Sequence, residues 1–295
     1  RQMCIRDRHD VLDMCEDAFK RERYQESLEA DTYVLVSGVK LASCADSSSG
    51  MLTDVIMRAF ELIDLSTQTI AKLDAAMRKH ALSLIIKEAK KKAFDGWDSW
   101  RYELLGKAVC LCDEKLAVKL EKLLDVFLED IENDYTPEYK RQEDTILRYK
   151  LHRHLKGADA VKDELYANLH IREIRIIAVK DATDARNYNE AEKLCLEQIK
   201  KEDGRFYRNI PEDWNNILFD VYVQSGITDK QIEQAKKILF LGNAGFWDVL
   251  KRLYQSLGTW ESQKPIILKE LKQCKYSVCY RSVLVCLLYT SDAAD

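Results

Sequence analysis

The sequence predicts an all-α protein, an α-solenoid of stacked antiparallel helix pairs, on three observations. Only 10 Gly and 3 Pro punctuate 295 residues, of which 33% are charged, a composition that favours long helices over sheets and tight turns. Apolar residues recur at helical spacing nearly throughout, and the breaks between periodic stretches are short. Elements of about 12 to 20 residues joined so briefly lie antiparallel to their neighbours.

Taken in order, a first pair is expected over about 11–22 and 25–43, closed by the polar loop Cys44-Ala45-Asp46-Ser47-Ser48-Ser49-Gly50, whose hydroxyl and carboxyl groups can bond their own backbone and cap the next helix. A second pair covers about 51–65 and 67–92. Phe94-Asp95-Gly96-Trp97 breaks the pattern, and helices over about 98–111 and 114–132 follow. Asp134-Tyr135-Thr136-Pro137 ends that pair, because proline disfavours helix in the residue before it and suits the first turn after it. Further helices span about 138–155, 158–168, 170–185 and 188–201. After the longer break from Asp203-Gly204 to Pro211 come helices over about 212–225, 229–241, 244–256 and 260–273.

Internal similarity supports repetition. Ala18 to Leu28 resembles Ala185 to Leu194 around Arg23-Tyr24-Gln25-Glu26-Ser27 and Asn187-Tyr188-Asn189-Glu190-Ala191. In a tetratricopeptide-like pair this is where one helix ends in a tight turn, the tyrosine packs, and a small residue admits the second helix. A strict 34-residue period is absent, so the pairs are degenerate relatives of that type.

The two ends read differently. Arg1 to Arg8 and Cys286 to Asp295 each resemble a translated transposase-type sequencing adapter, from opposite strands. Residues 1–8 and 286–295 are therefore expected to be artefacts without encoded packing partners, and 9–285 to be a continuous helical-repeat array from a longer, bacterial protein of metagenomic origin.

Composition excludes several functions. Lys and Arg number 46 against 50 Asp and Glu, a net charge of −4, so no global field attracts phosphate backbones or anionic lipid. The longest apolar stretches, Ile174–Val179 and Ser282–Leu288, fall far short of the roughly 20 residues a membrane helix needs. The 9 cysteines are scattered without the spacing of a secreted disulfide scaffold, which suits a reducing cytoplasm.

Candidate chemistry is sparse. His152 and His154, two apart on a helix, point roughly 200° away from each other and do not share a metal. His80 and His170 stand alone. Cys110-Leu111-Cys112 has the spacing of two zinc ligands, but no second Cys/His pair completes a site. Glycine-rich dinucleotide and phosphate loops, His-Glu-x-x-His and Gly-x-Ser-x-Gly are all absent, so neither a catalytic residue nor a cofactor is expected. The basic residues Arg78, Lys79, His80, Lys87, Lys90, Lys91 and Lys92 are read as cations opposing a helix dipole at its C-terminal end, with phosphate or an acidic protein as the alternative partner. The acidic run Glu129 to Asp134 reads as a solvated helix face. The densest local signal is Phe94-Asp95-Gly96-Trp97-Asp98-Ser99-Trp100-Arg101-Tyr102. Asp98 is expected to N-cap a helix beginning at Ser99. Trp97 and Trp100 either wedge between helix pairs or, with Arg101 and the neighbouring Lys90, Lys91 and Lys92, form an interaction surface.

These residues resemble the helical region downstream of the zinc finger in bacterial SWIM zinc finger domain-containing proteins. The tract Tyr-Asp-Gly-Trp-Asp-x-Trp-Arg-x-x-Leu-Leu corresponds to Phe94–Leu105, with Phe94 in place of Tyr. An Ala-Asp-Asp-Ser-x-Gly-like loop corresponds to Ala45–Gly50. A late Leu-Lys-x-Leu and Gly-x-Trp match Leu250–Leu253 and Gly258–Trp260. The similarity spans most of residues 10–273. The Cys-x-Cys and Cys-x-His halves of the finger are absent, and Cys110 and Cys112 do not substitute for them. The resemblance thus implies a finger upstream of residue 9 and a non-catalytic scaffold here, binding a protein partner or another part of the same longer chain. It implies nucleic acid only through that missing finger.

Overall fold

A computed structural model describes residues 5–44, 50–129, 131, 136–202, 213–273 and 280–285, with residues 5–7 as backbone alone. Helices account for the described fold, and no strand occurs among the described residues. Contacts divide the chain into two compact units, Arg1–Ala167 and Asn168–Asp295, at a point where the periodicity carries no boundary.

The first unit contains α1 (Ile5–Lys20), α2 (Tyr24–Ala42), α3 (Met51–Ile70), α4 (Ala75–Ala89), α5 (Asp98–Lys107), α6 (Glu114–Leu128), α7 (Pro137–Lys156) and α8 (Lys162–Ala167), with 3-10 turns at Lys92–Phe94, Val109–Leu111 and Asp159–Val161. One apolar core runs from Leu12 through Val55, Ile56, Phe60 and Leu104 to Leu151. Helix α3 packs against both α1 and α2. Gly38 of α2 permits the close approach, since a Cβ there would stand 3.1 Å from Ile56 Cγ1. As the sequence indicates, Pro137 occupies the first turn of α7.

Three local expectations are corrected. The second pair breaks not near residue 66 but at 71–74, because the Asp74 side chain accepts hydrogen bonds from the amides of Ala76 and Met77, while the Thr67 and Thr69 hydroxyls donate to the Ile63 and Leu65 carbonyls inside α3. Arg78, Lys79 and His80 consequently sit near the start of α4, and only Lys87 lies in its last turn, so the dipole argument fails for the first three. Asp98 is not a cap. It is the first residue of α5, and its carboxylate turns to Arg101 at 2.9 Å and Lys140 at 3.4 Å. Lastly, residues 5–8 form the opening of α1, and Arg8, 3% exposed, donates from Nε to Ser37 Oγ at 3.2 Å. That segment therefore does have a packing partner, because the helix that Leu12 and Cys15 anchor continues backward through it.

The second unit contains α9 (Arg172–Asp184), α10 (Tyr188–Lys201), α11 (Trp214–Ser225), α12 (Thr228–Phe240), α13 (Phe246–Ser256) and α14 (Trp260–Gln273). Each packs on the next along the chain. Its C-terminal core gathers Leu239, Trp247, Leu250, Trp260 and Ile267, with the Trp247 and Trp260 rings edge-to-face at 5.1 Å.

The two similar sequence stretches adopt the same turn. Arg23 N donates to the Ala18 carbonyl at 3.0 Å, and Asn187 N to the Ala182 carbonyl at 2.7 Å. Between them Glu22 (φ 60°) and Arg186 (φ 58°) turn left-handed, giving a Schellman-type helix end built without glycine. The small residue that follows is buried each time: Ser27, which donates to the Cys15 carbonyl, and Ala191. Residues 1–4, 45–49, 130, 132–135, 203–212, 274–279 and 286–295 lie outside the described residues, and with them the serine loop, most of the acidic run and the C-terminal adapter-like segment.

Candidate interaction site

Helix α10 buries Ala191, Leu194, Cys195 and Ile199 on one side. The opposite stripe, Asn189, Glu192, Lys193, Leu196, Glu197 and Lys200, borders an open depression of about 410 Å³. These positions follow helical spacing from the first turn to the last and form a mostly exposed face of α10, from which Glu192 reaches α11 and α12 and Glu197 reaches Arg175 of α9. Alongside it lies a larger groove of about 700 Å³, lined by Glu192, Leu196, Leu218, Tyr222, Lys230, Glu233, Gln234, Lys236, Lys237, Phe240 and Leu241. Its walls are α10 and α12 and its floor is α11.

The floor is fixed by buried polar side chains. Asp213 caps α11 by accepting from Asn215 N at 2.8 Å. Gln234 Nε2 donates to the Asn215 carbonyl and Gln231 Nε2 to the Tyr222 carbonyl, each at 3.0 Å, tying α12 to α11. Across the groove, Glu192 accepts from Lys230 Nζ at 2.6 Å and from Tyr222 Oη at 2.7 Å. Burial alone would raise the Glu192 pKa, but these two donors hold its carboxyl below the ordinary value. Burial and that carboxylate together push the Tyr222 phenol up. Glu192 is thus a fixed, internally neutralised anion. Leu196, 44% exposed, is the apolar residue at the groove's lip.

The residues singled out in the sequence lie in the first unit and play unequal parts. Trp97 and Trp100 are half-buried and stacked, ring centroids 4.4 Å apart and planes 11° from parallel, with Trp97 Nε1 donating to Ser43 Oγ at 3.0 Å. Both pack on the core. Arg101 is 8% exposed and engaged by Asp95 at 2.7 Å, Asp98 at 2.9 Å and the Phe127 ring. It braces this turn and does not present its guanidinium to a partner. Lys91 pairs with Glu88, while Lys90 and Lys92 are exposed.

In a comparison with known proteins, the chain matches no family model, no curated protein and no solved structure.

The other candidates resolve into packing. His152 faces Glu164 at 3.0 Å and Glu121 at 3.4 Å, whereas His154 meets the Cys112 carbonyl at 3.1 Å, so the two rings serve different elements. Cys110 and Cys112 direct their thiols at the Lys107 and Ala108 carbonyls. Burial raises both, Cys112 to about 12, so both are thiols near neutrality. Among the described residues no three His, Cys, Asp or Glu side chains converge as a metal site, and no helix is long and apolar enough to cross a membrane.

The groove was missed in the sequence for a specific reason. Its residues are ordinary helix-surface types, and the one available signal is Leu196, a leucine displaced from the apolar stripe of α10.

Proposed function

We propose that the chain is a non-catalytic helical-repeat scaffold, an α-solenoid of degenerate tetratricopeptide-like pairs, that works in the cytoplasm by binding a protein segment. In this reading it follows a SWIM-type zinc finger in a longer protein. The observation that carries the proposal is the α10–α12 groove, with an apolar lip at Leu196 and a floor held by hydrogen-bonded Gln231 and Gln234. A preorganised concave face of this kind binds without paying to order itself. The repeated turn at Glu22 and Arg186 supports the repeat part of the reading.

The test is selection of a displayed random-peptide library on the full chain. Enriched peptides are expected to lose capture on Leu196→Glu and to keep it on Trp97→Ala. Peptides insensitive to Leu196→Glu but lost on Trp97→Ala would move the site to the tryptophan stack, and a library with no enrichment would defeat the scaffold reading.

A further inference from the structure

We infer that the groove of α10–α12 takes an acidic, amphipathic helix of about three turns from another protein; this rests on the groove reading above and adds the chemistry of its occupant. Length comes from the open stripe of α10, Asn189 to Lys200, which at 1.5 Å per residue spans roughly 16 Å, about three helical turns. An exposed helical face beside a second helix is the kind of seat that ridge-into-groove packing gives a third.

Charge sets the sign. The two depressions are lined by five lysines, Lys193, Lys200, Lys230, Lys236 and Lys237, against three glutamates. Glu192 is neutralised by Lys230 and Tyr222, Glu197 lies 3.5 Å from the Arg175 guanidinium, Lys193 lies 3.6 Å from Glu190, and Glu233 is exposed. Lys200 and Lys237 are exposed and make no ion pair among the described residues. Lys200, Lys236 and Lys237 thus stand against Glu233, and the rim carries a net positive charge while the chain as a whole carries −4. A helix with aspartate or glutamate flanking an apolar stripe would place its stripe on Leu196 and Phe240 and its carboxylates at Lys200 and Lys237. Nucleic acid fits less well, because the floor is apolar and glutamates share the lining.

The probe is a fluorescein-labelled synthetic helix of about eleven residues with leucines on one stripe and glutamates on its flanks, compared by fluorescence anisotropy at low salt with an analogue carrying lysine for glutamate. The acidic peptide is expected to bind at least about tenfold more tightly, Leu196→Glu to weaken it at least about tenfold, and Lys200→Glu with Lys237→Glu to invert the preference. These positions are exposed, so thermal melts should match wild type. Leu196-dependent binding without charge preference would overturn the acidic assignment and leave the groove reading intact. Acidic binding unaffected by Leu196→Glu, or no binding of either peptide, would overturn the inference, and the library selection then decides the groove separately. A concentration-dependent dimer abolished by Leu196→Glu in sedimentation would give the groove to a second copy of the chain and refute the foreign helix.

Discussion

Two buried charged residues decide more than their neighbours do. Asp31 lies fully buried between α1 and α2, its Oδ2 accepting from Ser27 at 3.3 Å and its Oδ1 unpartnered. Burial raises its pKa to about 6, outweighing the hydrogen bonds from Cys15 and Ser27 that act the other way. A raised carboxyl binds its proton more tightly in the folded chain. Its contribution is therefore full below the unfolded value near about 3.9 and is lost as pH rises through about 6. Asp31→Asn is expected to be more stable than wild type at pH of about 8, by up to about 3 kcal/mol, with the gap closing near about pH 4. Denaturant melts across that range check it, and a variant weaker than wild type at the alkaline end would contradict it. Arg175 is the opposite case, 3% exposed yet satisfied by the Leu169 carbonyl at 2.9 Å and the Leu194 carbonyl at 3.1 Å. Arg175→Met keeps the volume but strands two acceptors, and a loss of about 2–4 kcal/mol in the same melts is expected.

At the scale of elements, helix contacts are governed by what two facing residues allow. Gly38 meets Ile56 at 3.1 Å. Alanine there gains about 1 kcal/mol of helix propensity while pressing on Ile56, so Gly38→Ala should be close to neutral. Gly38→Val adds bulk with no such compensation and should cost about 1–3 kcal/mol by urea melt. Trp100 follows the same logic in reverse. Full burial would make its truncation cost about 3–5 kcal/mol, but the ring is half-buried and stacked on Trp97. Trp100→Ala is accordingly expected to cost about 1–3 kcal/mol. A change within about 0.5 kcal/mol would mean that the stack adds nothing to stability, and would favour a recognition role for it.

For the whole molecule, each unit holds apolar clusters of its own, Leu12 to Leu151 in one and Ala235 to Val283 in the other. Unfolding should then be divisible. In scanning calorimetry Ile56→Ala is expected to lower one transition and Trp247→Ala another. A single transition moved equally by both would show that the two cores melt as one cooperative body.

The sequence by itself determined the helical class, most helix positions and the repeated turn, because apolar spacing and helix-end signals act within a few residues. It also exposed Trp97, Trp100 and Arg101 as a dense cluster, but Arg101's role depended on Asp95 and Phe127, a choice of partners that spacing along the chain does not encode. The break before α4 turned on Asp74 reaching two amides, one local signal outweighed by the surrounding apolar pattern. Only the tertiary structure decided that the outer face of α10 stays mostly exposed beside a groove while its inner face is buried. Leu196 and Lys237 come to line one groove through the distance between helices, a quantity set by packing across the whole unit and written in no short stretch of residues.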